Sequence, residues 1–101
     1  MSENLLNLVN TIRDRKNKDE YKSYTSSLLS GGLSKCIDKM EEEFDELKEA
    51  LNDKSNVVHE AADTIYHILV VLEAADIKFE DVLKELENRK KQSGIEEKNN
   101  R

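Results

Sequence analysis

The absence of proline is the feature that most constrains how this chain can fold. No proline interrupts the 101 residues, and glycine occurs only three times. Because these two residues are the ones that break helices, long helices can form wherever apolar residues recur at helical spacing. The sequence is also rich in Glu, Lys, Leu and Ala, which favour helices over strands. We therefore predict an all-α fold, a helical bundle of about four helices in one domain over residues 1–92.

Two central segments carry the clearest helical pattern. Apolar residues follow Ser34, the predicted N-cap, at steps of three and four: Ile37, Met40, Phe44, Leu47 and Leu51. This spacing predicts an amphipathic helix that ends near Asn52. Polar residues 52–56 then form a break, and a second, more apolar helix is predicted over 57–75. The short connection favours antiparallel packing of these two helices.

The remaining segments are predicted from weaker signals. A first helix, ending near Lys16, is indicated by Leu5, Leu6, Val9 and Ile12. Residues 21–32 are rich in Ser, Thr and Tyr and end in two glycines, which predicts a loop with one short turn. A last helix is predicted to begin near Phe79. Residues 93–101 form a charged tail.

Charge and cysteine content exclude several classes of protein. The net charge is −6, which disfavours a nucleic-acid backbone or an anionic membrane as a partner. No stretch approaches the roughly 20 apolar residues of a membrane span, and the N-terminus lacks a signal-peptide pattern, so we expect a cytoplasmic protein. Cys36 is the only cysteine; it is expected to fill apolar space. So short a chain builds only a small core, which favours an oligomer.

Two acidic motifs lie on the two central helices. The first helix carries Glu42-Glu43-x-x-Glu46, and the second carries Glu60-x-x-Asp63. At about 100° per residue, Glu43 and Glu46 lie on one flank of the first helix and can meet the second motif at the helix seam. Glu42 points further toward solvent, although it neighbours Glu46 one turn along the helix.

The second central helix is apolar on two sides. One face consists of Val58, Ala62, Ile65, Leu69 and Leu72, and the other of Glu60, Asp63, His67, Val70, Val71 and Ala74. Burial of the second face would place carboxylates where like charges require a cation. Oxygen ligands suit Mg²⁺, with Mn²⁺ as the alternative, and such ions promote hydrolysis at phosphorus. The other interpretation is a solvated acidic surface without chemistry.

Basic and polar residues near these motifs are candidates for substrate binding. The cations that can hold phosphates are Arg15, Lys16, Lys35 and Lys39. Ser23, Tyr24 and Thr25 either donate hydrogen bonds to ribose or phosphate or only order their loop. His67 either orients a water molecule or a phosphate or is a satisfied core residue.

The acidic motifs match the all-α nucleoside triphosphate pyrophosphohydrolase superfamily, which includes MazG-like and dimeric dUTPase-like enzymes. The surrounding motifs narrow the match: Ser23-Tyr24-Thr25-x-x-Leu28-Leu29, Lys35-x-x-x-Lys39 and His59-Glu60-Ala61-Ala62-Asp63-x-x-Tyr66-His67. Over nearly its whole length, the chain resembles the phosphoribosyl-ATP pyrophosphohydrolase family. It departs from the family at Glu41 and Phe44, where glycine and a small residue are usual.

The resemblance implies a Mg²⁺-dependent homodimer that converts phosphoribosyl-ATP to phosphoribosyl-AMP and pyrophosphate, the second step of histidine biosynthesis. The metal ligands and catalytic residues that it implies are Glu43, Glu46, Glu60 and Asp63, with Glu42 as a secondary ligand. It further implies that paired protomers cover Val70, Val71 and Ala74 and enclose the metal site.

Two alternatives remain open from the sequence. The first is a MazG-like or dUTPase-like enzyme that acts on another nucleotide, because the acidic motifs serve the whole superfamily. The second is a non-catalytic helical module whose acidic faces bind a partner protein. The number of metal ions, the phosphorus attacked and the protomer that supplies each basic contact are not determined by the sequence.

Overall fold

The computed structural model describes residues 2–16, 18 and 23–90. These residues form five helices and no strand: α1 (Ser2–Arg15), α2 (Tyr24–Ser30), α3 (Leu33–Asp53), α4 (Val57–Ala74) and α5 (Phe79–Lys90). The predicted all-α class is therefore confirmed. None of these helices is both long and apolar enough to span a bilayer. The charged tail predicted at 93–101 lies outside the described residues.

The two central helices form the predicted antiparallel pair. Residues 54–56 connect them, and Lys54 and Asn56 both adopt left-handed backbone conformations there. The Lys54 N–H donates to the Ala50 carbonyl and so ends α3. The predicted N-cap at Ser34 is wrong, because α3 begins at Leu33 and its N-cap is Gly32, two residues before Ser34. Gly32 has a φ of 89°, which glycine adopts at little cost because it has no Cβ.

Helix α2 corrects the prediction of a loop over residues 21–32. Ser23 caps this helix, since its hydroxyl oxygen accepts the N–H of Ser26 at 3.0 Å. The buried residues of α2 include Thr25, Ser26 and Leu28. Hydroxyl side chains usually compete with helical hydrogen bonding, but here they cap the helix or bond to neighbouring elements. Seven residues therefore form a helix that its own propensity would not stabilise.

The core draws residues from all five helices. Its buried members are Val9, Ile12, Leu28, Cys36, Leu69, Val70 and Phe79. Cys36 fills apolar space as predicted, and burial raises the pKa of its thiol. Its Sγ also donates to the Leu28 carbonyl at 3.2 Å, which joins α3 to α2.

The two faces of α4 are used differently from the prediction. Val70 is only 1% exposed within this one chain, and Val71 and Ala74 pack against the same core. For Val70, the expectation that a partner protomer covers it is therefore wrong, because helices of the same chain already do so; Val71 and Ala74 are only partly buried, and their cover by a partner stays a prediction. On the opposite face, Val58 is 85% exposed and Ile65 is 52% exposed. The most exposed apolar side chains of α4 are thus on the other side of the helix.

Candidate metal centre

Three of the predicted ligands meet at the seam between α3 and α4. Glu43 and Glu46 lie one turn apart on α3, and Glu60 lies in the first turn of α4. Each of the three offers one carboxylate oxygen, and these oxygens lie within 4.8 Å of one another. The antiparallel packing of the two helices brings the motifs together, because the first turn of α4 faces the second half of α3. We call these residues the three-glutamate cluster.

Two oxygens of the three-glutamate cluster are buried without a hydrogen-bond partner among the described residues. They are Oε2 of Glu43 and Oε2 of Glu60. Burial raises the pKa of Glu43, and a hydrogen bond with Glu46 and the charge of Glu46 raise it further. Burial also raises the pKa of Glu60, with the charge of Glu46 as the next cause. When all three groups are ionised, they therefore need a cation, and their oxygens fit Mg²⁺ or Mn²⁺.

Asp63 lies beside the three-glutamate cluster. Together with His59 and Glu60, it forms a second group of ligand atoms within 4.8 Å of one another. Its Oδ2 is 3.1 Å from His59 Nε2. Glu60 belongs to both groups and connects them. The charge of Asp63 is also among the causes that raise the pKa of Glu43.

Glu42 and Lys39 form a pair at the edge of the cluster. Lys39 Nζ is 3.2 Å from Glu42 Oε2, and both side chains are substantially exposed. The hydrogen bond to Glu42 is the main cause that raises the pKa of Lys39, and the negative charge of Glu43 also contributes. Lys39 therefore carries a positive charge near the carboxylates. The structure does not place Glu42 among the grouped ligand atoms.

The other predicted phosphate-binding cations are not gathered at the carboxylates. Lys16 Nζ donates to the Glu73 carbonyl at 2.9 Å and pairs with Asp76, both at the C-terminal end of α4. Glu60 and Glu73 are separated by about 20 Å along α4 at 1.5 Å per residue. Lys35 is exposed at the start of α3, and Arg15 lies at the end of α1.

The hydroxyl groups of Ser23 and Thr25 are used within the protein. Ser23 Oγ donates to Ser26 Oγ at 2.9 Å while it accepts the capping N–H. Thr25 is buried, and its hydroxyl forms a hydrogen bond with that of Tyr66. These contacts agree with the interpretation that the two residues order α2.

Tyr24 differs from its two neighbours because it is 58% exposed. Its hydroxyl lies 3.2 Å from Nε2 of His67, which is itself only 5% exposed. Partial burial raises the pKa of Tyr24, and the negative charges of Glu43 and Asp63 raise it further. Tyr24 thus presents a neutral hydroxyl beside the carboxylates. His67 is buried with both ring nitrogens in hydrogen bonds, which agrees with the interpretation as a satisfied core residue.

Thr64 is a residue of this site that the prediction missed. It is buried, and its Oγ1 lies 2.8 Å from the Glu60 carbonyl and 3.2 Å from the Glu43 carbonyl. The second contact crosses from α4 to α3 at the level of the cluster. A threonine within an apolar helical run was the available signal, because its hydroxyl must bond to a carbonyl when it is buried.

The sequence matches a known protein family. The family model described as Phosphoribosyl-ATP pyrophosphohydrolase matches residues 5–90. The phosphoribosyl-ATP pyrophosphatase of Roseobacter denitrificans is 46% identical over 90% of this chain and 89% of its own length. The proteins of that name in Paracoccus denitrificans and Rhizobium etli are 44% and 41% identical, over 93% and 96% of this chain and 89% and 92% of their own. The chain therefore belongs to the phosphoribosyl-ATP pyrophosphohydrolase family.

Proposed function

We propose that this protein hydrolyses phosphoribosyl-ATP to phosphoribosyl-AMP and pyrophosphate, with Mg²⁺ as its metal ion, in the second step of histidine biosynthesis. The observation that carries the proposal is the three-glutamate cluster, in which two buried carboxylate oxygens have no partner among the described residues. The names of the relatives supply the nucleotide, since each is called a phosphoribosyl-ATP pyrophosphatase.

The chemistry follows from the carboxylates. Glu43, Glu46 and Glu60 would hold the ion, with Asp63 as the adjoining ligand. When bound, the ion neutralises charge on the pyrophosphate that leaves. The attacking water needs a base, and a carboxylate of this group that is not bound to the ion can accept its proton. Lys39, charged and close to the cluster, supplies a cation for phosphate oxygens.

The test is release of pyrophosphate from phosphoribosyl-ATP in the presence of Mg²⁺. Glu43→Gln and Asp63→Asn each keep the size of the side chain and remove its charge. We expect each to lower the rate at least about a hundredfold, which is the lower range for the loss of a catalytic acid or base. Glu41→Gln is the matched control, because Glu41 is exposed on the same helix. Unchanged rates in both site variants would overturn the assignment of these residues.

A substrate panel separates this proposal from the related activities. ATP, dUTP and phosphoribosyl-ATP are compared at equal concentration with wild-type protein. Preference for phosphoribosyl-ATP supports the proposal. Faster hydrolysis of another nucleotide would contradict it and favour a MazG-like or dUTPase-like enzyme.

We also propose that the protein is a homodimer that pairs through the outer face of the α3–α4 hairpin. Large apolar residues on this face are exposed, namely Phe44, Leu51, Val58 and Ile65. Helical periodicity places them on one side of the antiparallel pair. So much exposed apolar surface is typical of a protein–protein contact.

Analytical ultracentrifugation tests this interface. Ile65→Glu is expected to shift the protein toward a monomer, because it places a charge in the apolar contact. Leu86→Glu is the matched control, since Leu86 on α5 is 51% exposed and Ile65 is 52% exposed. A dimer that survives Ile65→Glu but dissociates with Leu86→Glu would contradict the assignment of the face.

A further inference from the structure

Tyr24 is the residue of the Ser23-Tyr24-Thr25 segment that has a side chain available to a ligand. The hydroxyls of Ser23 and Thr25 form hydrogen bonds inside the protein, and Thr25 is buried. Tyr24 instead is 58% exposed at the start of α2, and its hydroxyl lies 3.2 Å from His67, which contacts the backbone of Asp63 one turn earlier on α4. A substrate held at the carboxylates therefore passes close to the Tyr24 oxygen.

The direction of the hydrogen bond at Tyr24 is fixed by its neighbours. His67 Nδ1 lies 2.8 Å from the backbone carbonyl of Asp63, and a carbonyl can only accept. Nδ1 must therefore carry a proton, and in the neutral imidazole Nε2 is then an acceptor. The Tyr24 hydroxyl, 3.2 Å from Nε2, donates its proton to His67. On its exposed side, the Tyr24 oxygen therefore has only lone pairs and can act only as a hydrogen-bond acceptor.

We propose that Tyr24, held in this orientation by His67, accepts a hydrogen bond from an O–H or N–H group on the nucleoside part of the substrate. This inference rests on the proposed function, and it differs from the prediction that Tyr24 donates to ribose or phosphate. Ionised phosphate oxygens carry no proton, so they have nothing to give to an acceptor. Tyr24 thus contributes to recognition of the nucleoside and not of the phosphates.

Calorimetric binding of the two reaction products separates these roles. Phosphoribosyl-AMP carries sugar hydroxyls and N–H groups, whereas pyrophosphate carries no such donor on carbon or nitrogen. In Mg²⁺ at pH 8, Tyr24→Phe is expected to raise the Kd of phosphoribosyl-AMP roughly threefold to tenfold, the value of one hydrogen bond. The Kd of pyrophosphate is expected to stay unchanged. The proposal would be overturned if Tyr24→Phe weakened the binding of both products equally, or weakened the binding of neither.

Tyr66→Phe is the matched control. It also removes one tyrosine hydroxyl, but that hydroxyl bonds to the buried Thr25 inside the protein. We expect it to leave the ratio of the two dissociation constants as in wild type. A change in that ratio as large as that of Tyr24→Phe would contradict a specific role for Tyr24.

His67 acts as a positioning residue in this proposal. His67→Leu removes the acceptor and is expected to produce the same selective loss of phosphoribosyl-AMP binding, while His67→Gln, which retains an acceptor oxygen, restores it. In the Tyr24→Phe background, His67→Leu is expected to cause no further selective loss. Additive selective losses in the double variant would show that His67 does not act through Tyr24. Circular dichroism checks that each variant is folded.

Two further measurements distinguish the possible failures. If wild-type protein does not hydrolyse phosphoribosyl-ATP but the selective effect of Tyr24→Phe remains, the proposed function fails and the role of Tyr24 stands. If hydrolysis occurs and the selective effect is absent, the role of Tyr24 fails alone. An analogue of phosphoribosyl-AMP that lacks the free hydroxyls of both ribose rings then identifies the donor. Insensitivity of its binding to Tyr24→Phe indicates a ribose hydroxyl, and retained sensitivity indicates an N–H of the base.

Discussion

Glu43→Gln is expected to stabilise the metal-free protein and to remove most of its stabilisation by Mg²⁺. In the folded chain, Oε2 of Glu43 is buried without a partner, and its carboxyl group shares a hydrogen bond with Glu46. At neutral pH, ionisation places two like charges side by side and breaks that shared bond. Glutamine has the same shape, carries no charge and can donate an N–H to the Glu46 carboxylate.

The magnitude follows from the cost of an unsatisfied buried polar group, about 1–3 kcal/mol. Glutamine still has an acceptor oxygen in the same place, so we take the lower end, a gain of about 1 kcal/mol. For a domain of this size, that gain raises the midpoint of thermal unfolding by about 4–8 °C.

The gain depends on pH with a definite sign. Because the pKa of Glu43 is raised in the folded chain, the folded state holds this proton more tightly than the unfolded state does. Ionisation therefore costs stability as the pH rises above the ordinary carboxyl range. The advantage of Glu43→Gln is expected at pH 8 and is expected to vanish near pH 3.5, where an ordinary glutamic acid is protonated.

Thermal unfolding followed by circular dichroism, with and without Mg²⁺ at one protein concentration, measures both effects. Saturating Mg²⁺ at about 100 times its Kd is expected to stabilise the wild type by about 2.7 kcal/mol. Glu41→Gln, the same change at an exposed position of α3, is expected to stay within about 0.5 kcal/mol of wild type. The reasoning is refuted if Glu43→Gln unfolds at a lower temperature than Glu41→Gln without metal, or if Mg²⁺ stabilises both variants equally.

Three further predictions concern the core, an ion pair and the α3–α4 seam. Ile12→Ala removes a side chain that is 1% exposed and is expected to cost about 2–5 kcal/mol in urea unfolding. Arg13 lowers the pKa of Glu80 to about 2. Glu80→Gln removes this ion pair and is therefore expected to destabilise the protein at pH 7. Thermal unfolding is expected to show that this destabilisation shrinks as the pH falls from the ordinary carboxyl range toward 2. Thr64→Val breaks the contact of the Thr64 hydroxyl with the Glu43 carbonyl, so we expect it to raise the calorimetric Kd for Mg²⁺ roughly threefold to tenfold. Thr64→Ser retains the hydroxyl and is expected to restore the wild-type Kd.

The central helices were predictable because both signals in their sequence agree. Apolar spacing sets their length, and the polar residues 52–56 separate them, so α3 and α4 lie within two residues of their predicted bounds. The same two helices carry the acidic motifs, and antiparallel packing makes those motifs meet. Helix α2 was missed because its Ser and Thr residues favour turns locally, and only the cap at Ser23 and contacts with other helices stabilise it.

The details of the site depend on side-chain directions that spacing does not specify. Glu60 and Asp63 are one turn apart, yet Glu60 joins the three-glutamate cluster while Asp63 pairs with His59. Glu42 and Glu43 are adjacent, yet Glu42 bonds to Lys39, whereas Oε2 of Glu43 is buried at the seam. Motif positions therefore predict which helix turns bring carboxylates to the α3–α4 seam, and the partners of each carboxylate are decided by the residues packed around it.

Helix α4 shows why its apolar faces could not be assigned from the sequence. Both faces are apolar enough to be buried, so periodicity predicts two contacts but gives no reason to assign either to a second protomer. In the folded chain, neighbouring helices cover the face of His67 and Val70, which leaves Val58 and Ile65 exposed. The acidic residues are therefore positioned by contacts between helices of the same chain. A monomeric Ile65→Glu variant is thus expected to keep its Mg²⁺ affinity in calorimetry, and loss of that affinity on dissociation would show that the partner completes the metal centre.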